Sequence, residues 1–210
     1  MKKIMFNDRY GLTEAVLERR KIMTRREANI VCFPGHKEEQ IVRFYKSKIF
    51  EKGRQVWFGY DINGIYIADL IPQYVIGEEV AVAQRYWDLR NNDDFYKAIL
   101  KSDRAFPLEC IKYEKGCHNK MFVRAEWMPH RIRITDIKAE RLQDISDEDC
   151  LHEGITEKNT PIGTSYSFFG TQGNWETPRA AFAVLIDKVS GRGTWERNPW
   201  VFVYTFRLVQ

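Results

Sequence analysis

The chain has 210 residues, of which 44% are hydrophobic and 30% charged, and its formal net charge is +4. This length is sufficient for one sizeable hydrophobic core, and the composition is that of a globular protein rather than a disordered one. No apolar stretch is long enough to span a bilayer, and the N-terminus lacks the apolar segment of a secretory signal. We therefore expect a cytoplasmic protein without a membrane partner.

The positive charge is concentrated near the N-terminus. Residues 1–30 contain eight Lys or Arg and four Asp or Glu, a surplus that equals the charge of the whole chain. A basic patch on an otherwise neutral body predicts a polyanionic partner. On charge alone, a solvated helix end is the simpler interpretation, because the helix dipole favours cations at a C-terminus.

Hydrophobic periodicity predicts more strands than helices. Apolar runs bounded by turn residues predict strands at 56–60, 65–70, 79–84, 121–125, 131–138 and 200–206. The first two strands are joined by Asn63-Gly64, the strongest hairpin signal in the chain. Residues 34–54 are polar with mixed charges and predict a loop that contains an extended piece near residues 41–45.

Capping residues predict three short helices. Their start and stop signals are Thr13 for a helix over residues 13–20, Ser146 with Asp149 and then Gly154, and Thr177-Pro178 and then Gly191. Residues 95–100 fit a further short helix. The first helix leads directly into the basic stretch at residues 19–26.

About six or seven short strands with three short helices predict an α+β protein, with a small β-barrel as its architecture. We expect a single domain over residues 1–210. Two polar segments, at about 85–118 and 156–176, are interpreted as insertions, and the second is rich in Gly, Ser and Thr, as a loop would be.

Lys21 and Thr24 are three residues apart, a spacing that brings an amine within reach of a hydroxyl in a turn after a helix. A threonine hydroxyl becomes a nucleophile when a base removes its proton, and lysine is such a base when burial or nearby cations lower its pKa. A proton donor is also needed, and Glu153 is one candidate among several acids between residues 144 and 157. The alternative is a surface lysine, a strand threonine and a helix-end acid, since Lys-x-x-Thr arises easily by chance.

Residues 12–26, Leu-Thr-Glu-Ala-Val-Leu-Glu-Arg-Arg-Lys-Ile-Met-Thr-Arg-Arg, resemble the signature of the ASCH (activating-signal-cointegrator homology) family, in which a short helix leads into Gly-x-Lys-x-x-Thr-x-Arg. Three further segments resemble the same family, including its phage and bacterial members: 74–80, 141–154 and 198–204. Arg19 stands where the motif has glycine, so a turn of positive φ there costs about 1–2 kcal/mol or is rebuilt.

The resemblance implies a β-barrel similar to the PUA fold, a cleft beside the first helix and a role in RNA binding. One bacterial branch of the family removes the acetyl group from N4-acetylcytidine, with a lysine as general base, a threonine as nucleophile and a glutamate as proton donor. Lys21 and Thr24 match the first two by motif, and Glu153 is similar in position to the third. Arg26 matches the motif arginine. The partner that the resemblance implies is RNA or a nucleotide or nucleoside, with no cofactor.

Arg20, Arg25 and Arg26 are expected to contact phosphate groups, with solvated surface charge as an equal alternative. Stacking of a base on an exposed tryptophan is a weaker hypothesis, since most tryptophans in β-rich domains are largely buried. The tryptophans considered for it are Trp57, Trp127 and Trp175.

A zinc site is the third possibility. Cys110, Cys117 and His118 form C-x6-C-H, with Cys150 and His152 as further possible ligands, but the paired cysteines of a standard zinc module lie closer together. We therefore expect no metal and interpret the four scattered cysteines as reduced thiols. Nothing in the sequence specifically indicates a purely protein-binding role. The sequence does not indicate an oligomeric state either.

Overall fold

The computed structural model describes residues 1–100, 117–161 and 163–209. The strands are β1 (Lys3–Ile4), β2 (Met23–Glu27), β3 (Ile30–Cys32), β4 (Arg43–Glu51), β5 (Arg54–Tyr60), β6 (Tyr66–Leu70), β7 (Glu79–Val82), β8 (Arg131–Arg141), β9 (Thr156–Thr160), β10 (Gly163–Ser167) and β11 (Trp200–Leu208). The α-helices are α1 (Leu12–Leu17), α2 (Asp93–Leu100), α3 (Asp147–His152), α4 (Pro178–Ser190) and α5 (Thr194–Arg197). The predicted α+β class is confirmed.

The strands form three hydrogen-bonded sheets. The largest has the order β1-β7-β8-β11-β2, in which β1 and β7 are parallel and the other neighbours antiparallel. A four-stranded antiparallel sheet has the order β3-β6-β5-β4, and β9 pairs with β10. These ladders do not by themselves close a ring, so the small barrel stays a prediction. Along the described ranges, no helix is long and apolar enough to cross a membrane.

Strand β11 is the central element of the largest sheet and confirms the prediction of an interior strand at 200–206. It pairs with β8 along one edge and with β2 along the other, and its side chains pack into the main buried cluster. Phe202, Val203 and Tyr204 are each at most 3% exposed. Burial on both faces favours a continuous apolar run over an alternating one, as this segment has. The pairing with β2 holds Thr24 opposite Tyr204.

Two of the three predicted helix starts are confirmed by their capping bonds. The side chain of Ser146 accepts a hydrogen bond from the Asp149 amide, and that of Thr177 accepts one from Ala180. The predicted N-cap at Thr13 is wrong. Helix α1 begins at Leu12 without a side-chain cap, and the Thr13 hydroxyl donates to the carboxylate of Asp8 at 2.6 Å.

Three segments differ from their predicted structure, and each lacks a clear apolar face. Residues 34–54, predicted as a loop, contain β4; residues 156–176 contain the β9–β10 hairpin; and residues 121–125, predicted as a strand, form turns. The first two lie at sheet edges with most side chains exposed, so period-two alternation is absent. Helix α2 confirms the short helix predicted at 95–100, while residues 101–116 of the expected insertion lie outside the described residues.

Helices α3 and α4 pack on the largest sheet and complete the main core. Phe182 and Leu185 of α4 belong to the same buried cluster as Phe202 of β11 and Cys150 of α3. This packing sets α4 and the end of α3 beside β2, the strand that carries the basic stretch. The space between them is the candidate site.

Candidate functional site

A Schellman turn ends α1 and directs the chain into the site. The Arg19 amide donates to the Val16 carbonyl at 3.0 Å, and the Arg20 amide donates to the Ala15 carbonyl at 2.9 Å. These are the two bonds of the motif, which requires a left-handed residue immediately after the helix. Arg19 is that residue, with φ of 61°. The turn is therefore kept, not rebuilt, at the position where the ASCH motif has glycine.

Replacement of Arg19 by glycine is expected to raise the free energy of unfolding by about 0.5–1 kcal/mol, because glycine adopts positive φ without strain from a Cβ atom. Urea denaturation of the variant measures the change. Arg20→Gly is the matched control, since Arg20 is not among the residues with positive φ and gains nothing from glycine. A lower stability for Arg19→Gly would contradict the strain at this turn.

Lys21 follows the turn and is buried against the end of α3. The next amide, of Ile22, donates to the His152 carbonyl at 3.1 Å and so ties this segment to the helix end. Lys21 is 2% exposed, and its Nζ donates to both the carboxylate (2.5 Å) and the carbonyl (2.8 Å) of Glu153. The two residues are 132 positions apart in the chain, and their ion pair joins its two halves.

Gly154 follows Glu153 and has a φ of 107°, a backbone conformation that residues with a Cβ atom rarely adopt. A Cβ atom there would lie 3.1 Å from Leu12 and 3.8 Å from the side chain of Lys21, so Leu12 would shift by a few tenths of an ångström while Lys21 would stay in ordinary contact. The positive φ is therefore the reason that glycine is favoured at this helix stop.

Arg25 lies at the centre of a buried ion cluster. Its side chain is 1% exposed, and its guanidinium contacts Glu140 at 2.7 Å, Asp149 at 2.7 Å and Glu153 at 3.1 Å. Lys138 contacts Glu140 and Asp149 from the solvent side. The members of the buried ion cluster are Lys21, Arg25, Lys138, Glu140, Asp149 and Glu153. Three cations face three carboxylates, so the cluster has no net charge when all are ionised.

Burial and charge oppose each other in this cluster. Burial lowers the pKa of Lys21, and the Glu153 carboxylate only partly offsets this effect. Burial also acts to lower the pKa of Arg25, but the three carboxylates outweigh it and the pKa rises. For Asp149, burial acts to raise the pKa, whereas Arg25 and Lys138 outweigh it and lower the pKa.

Asp149→Asn is expected to lower the free energy of unfolding by more at pH 7 than at pH 3. The folded pKa of Asp149 lies below its unfolded value of about 3.9, so its contribution is fully present above the unfolded pKa and is lost as pH falls through the folded one. Urea denaturation at both pH values measures the difference from wild type. Asp147→Asn, on the exposed side of the same helical turn, is the control. A pH-independent difference would contradict this assignment.

A pocket of about 220 Å³ opens beside the cluster. Lys21, Thr24 and Glu153 line one side of it, and apolar side chains of α4 line the other, among them Phe182 and Leu185. Thr24 is 5% exposed. Across the described part of the chain, no hydrogen bond joins its hydroxyl to Lys21, whose ammonium is turned toward Glu153.

The three arginines of the basic stretch have different environments. Arg20 is exposed, pairs with Glu18 at 2.6 Å and lines a separate pocket of about 330 Å³ beside Phe168. Arg25 is buried, and its guanidinium is paired with three carboxylates. No guanidinium N–H therefore remains for the phosphate contact expected of it. Arg26 lines the 220 Å³ pocket, and its Nη2 donates to the Met5 carbonyl at 2.5 Å.

No protein-family model, curated protein or solved structure matches the chain. The function is therefore argued from the site itself. One pocket is lined by all three predicted catalytic residues, Lys21, Thr24 and Glu153. Arg26 joins them there, whereas Arg20 does not.

Sequence reasoning missed Glu140 and Lys138 and assigned Asp149 only to a helix cap. One signal was present, because Asp149 and Glu153 are four apart and so share a face of α3. Glu140 and Lys138 occupy alternate positions of β8, as solvent-facing charges of a strand do. The fold brings Glu140 to Arg25 and Lys138 to Glu140 and Asp149.

The alternative sites considered from the sequence are not supported by the described residues. Among them no group of three or more His, Cys, Asp or Glu could hold a metal ion, and Cys110 lies outside them. Cys150 is fully buried, and burial raises the pKa of its thiol to about 12. Trp57 is buried, and Trp127 and Trp175 pack against core residues.

Proposed function

We propose that the protein is an amidohydrolase that acts on an N-acylated nucleoside in the Lys21 pocket, on a PUA-like fold. The observation that carries the proposal is the convergence of Lys21, Thr24 and Glu153 on one pocket, although Glu153 is 132 residues distant from Lys21. The resemblance to ASCH proteins assigns these residues the roles of general base, nucleophile and proton donor. The shared pocket supports these roles, and proton transfer from Thr24 further requires that Lys21 Nζ turn from Glu153 toward the hydroxyl.

The shape and charge of the pocket favour a small uncharged ligand. Its volume of about 220 Å³ restricts the ligand to a small molecule or to part of a larger one, and the apolar residues of α4 suit a planar base or an acyl group. The neighbouring ion cluster is balanced, so it supplies no net positive charge for a phosphate. A nucleoside amide fits these properties better than a polyphosphate.

The Lys21–Glu153 pair can supply a base and an acid together. Moving one proton from the Lys21 ammonium to the Glu153 carboxylate gives a neutral amine and a neutral carboxylic acid without a change in the pair's total charge. Burial favours the neutral amine of Lys21, because the ammonium loses hydration in the interior and its pKa is lowered. The neutral amine then accepts a proton while the carboxylic acid donates one.

The reaction follows from these roles. Lys21 takes the proton of the Thr24 hydroxyl as its oxygen bonds to the amide carbonyl carbon, and Glu153 protonates the nitrogen as the C–N bond breaks. The amine leaves, and an ester remains on Thr24. A water molecule, deprotonated by Glu153, then attacks the ester carbonyl, and the freed Thr24 oxygen recovers its proton from Lys21. The products are the acid and the amine, and all three residues return to their starting state.

The test is incubation of purified protein with N4-acetylcytidine, with release of cytidine and acetate followed by chromatography. Turnover is expected for wild type and strongly reduced for Lys21→Ala, Thr24→Ala and Glu153→Ala. Thr205→Ala, a change of a β11 threonine outside the pocket lining, is the matched control and should retain activity. Absence of turnover by wild type, or equal turnover by all variants, would remove the proposal.

Binding of RNA or a nucleotide without catalysis is the second candidate, and the position of Arg26 favours it. Arg26 lies at the pocket as a half-buried cation able to contact a phosphate next to a bound base. The same experiment separates the two functions. Retention of N4-acetylcytidine without product, together with weaker retention of its 5′-monophosphate by Arg26→Ala, would indicate a binding module.

A further inference from the structure

A second basic segment lies far from the N-terminal stretch. Residues 43–54, which include β4 and the turn into β5, contain five cations and one acid: Arg43, Lys46, Lys48, Lys52 and Arg54, against Glu51. Their surplus of four equals the formal net charge of the whole chain. The net charge of residues 31–210 is zero, because acidic residues elsewhere in that range balance the positive charge of this segment. We call it the basic hairpin.

One side of the four-stranded sheet carries a group of aromatic rings. This aromatic face consists of Phe33, Tyr45, Phe58, Tyr60 and Tyr66. Tyr45 lies opposite Phe58 in the β4–β5 ladder, and Tyr60 lies opposite Tyr66 in the β5–β6 ladder. The ring centroids in contact are 4.5 to 5.9 Å apart. The rings therefore form a continuous surface across the strands.

The aromatic face is open to solvent, whereas the other side of the sheet is buried. Tyr45 is 51% exposed and the other four rings are half-buried. Trp57, Ala68 and Leu70, whose side chains occupy the other side, are at most 6% exposed. One ring that is half exposed and four that are partly exposed leave aromatic surface for a ligand to cover, and such a surface commonly serves binding.

Charged groups border the rings. The Arg43 guanidinium lies 5.2 Å from the Tyr45 ring, and Lys48 and Lys52 are exposed on the same hairpin. The acid on the face, Asp69, accepts a hydrogen bond from the Tyr66 hydroxyl. A ligand on this surface meets aromatic rings beside Arg43, and Lys48 and Lys52 lie further along β4 and its turn.

We propose that the aromatic face and the basic hairpin together bind single-stranded nucleic acid. Unpaired bases stack on rings such as Tyr45 and Phe58, while the phosphates contact Arg43 and the hairpin lysines. A duplex does not offer its base faces in this way, because they are already stacked on one another. The proposal does not rest on the chemistry at Lys21, which involves a different set of residues.

The test measures fluorescence anisotropy of a labelled single-stranded oligouridine of about 12 nucleotides, within the range of known single-strand sites. Tyr45→Ala is expected to weaken binding about tenfold, as removal of one stacking ring does. Phe122→Ala removes a ring elsewhere that is more exposed than Tyr45 and should leave affinity unchanged. Because Tyr45 is half-exposed, its removal should leave the thermal unfolding transition in place.

Salt dependence tests the cations separately. Lys48→Gln with Lys52→Gln is expected to reduce the slope of log affinity against log salt by about 1.4, since each contact to a single strand contributes about 0.7. Lys188→Gln, an exposed lysine of α4, is the control and should keep the wild-type slope.

Three results would overturn the proposal: no binding at low salt, unchanged affinity of Tyr45→Ala, or equal affinity for a duplex or for polyglutamate. Oligothymidine in place of oligouridine distinguishes DNA from RNA, and tight binding of either supports the proposal. Thr24→Ala should bind the oligonucleotide like wild type. If this variant loses turnover of N4-acetylcytidine but still binds the oligonucleotide, the two sites are independent. Failure of the proposal for the aromatic face can then be distinguished from failure of the proposal for the Lys21 pocket.

Discussion

Replacement of Arg25 by methionine is expected to lower the free energy of unfolding by about 3–5 kcal/mol. The side chain is 1% exposed and contacts Glu140, Asp149 and Glu153, so its removal leaves carboxylates without their principal cation. Methionine keeps most of the volume but none of the charge. The cost therefore arises from uncompensated buried charge rather than from a cavity.

Urea denaturation at pH 7 measures this loss, and two further variants isolate its cause. Arg197→Met removes an arginine whose pair with Glu27 is about half exposed on both sides, and it should cost at most about 1 kcal/mol. Arg25→Lys keeps the charge but lacks the planar fork that reaches several carboxylates, so an intermediate loss is expected. Equal losses for Arg25→Met and Arg197→Met would show that the cluster is no more important than a surface pair.

The second large effect is kinetic. Lys21→Met is expected to reduce kcat toward N4-acetylcytidine by on the order of 10²–10⁴-fold, the usual contribution of a general base. Glu153→Gln should reduce kcat to a similar extent, because the amide cannot donate the proton that the leaving amine needs. Steady-state rates of cytidine release give both values.

The double variant is the sharper measurement. If Lys21 and Glu153 share one proton and act as a unit, removing both should cost little more than removing either, since residues of one catalytic unit are strongly non-additive. Fully additive losses would contradict the shared-proton mechanism while leaving the stability prediction for Arg25 untouched. Thr24→Ser, which keeps a hydroxyl, should retain more activity than Thr24→Ala.

Local signals could be predicted from the sequence, and pairing between distant segments could not. The caps at Ser146 and Thr177 depend on hydrogen bonds to residues three positions further along the chain. The burial of β11 is predicted by its continuous run of apolar residues. Strand β4 was missed because it lies at a sheet edge with most side chains exposed, which removes the alternation that identifies a strand.

The candidate site shows the same division. The spacing of Lys21 and Thr24 is visible in the sequence, and the resemblance supplied Glu153. The partners of Arg25 could not be anticipated, because Glu140 reaches it only through the register of β8 and β2 on either side of β11. Arg25 was therefore expected to contact phosphate groups or solvent, whereas its side chain is buried and paired with three carboxylates.

The position of β11 between β2 and β8 also orders events during synthesis. The ribosome delivers Lys21 and Arg25 early and Glu140 and Glu153 much later, and β11 is the strand that joins β2, which carries Arg25, to β8, which carries Glu140. Until residues 200–208 have left the exit tunnel, a nascent chain carries cations and carboxylates that have no scaffold to meet on. Assembly of the pocket is thus expected to be a late, all-or-none event, and ribosome-bound chains truncated before residue 200 should be unable to act.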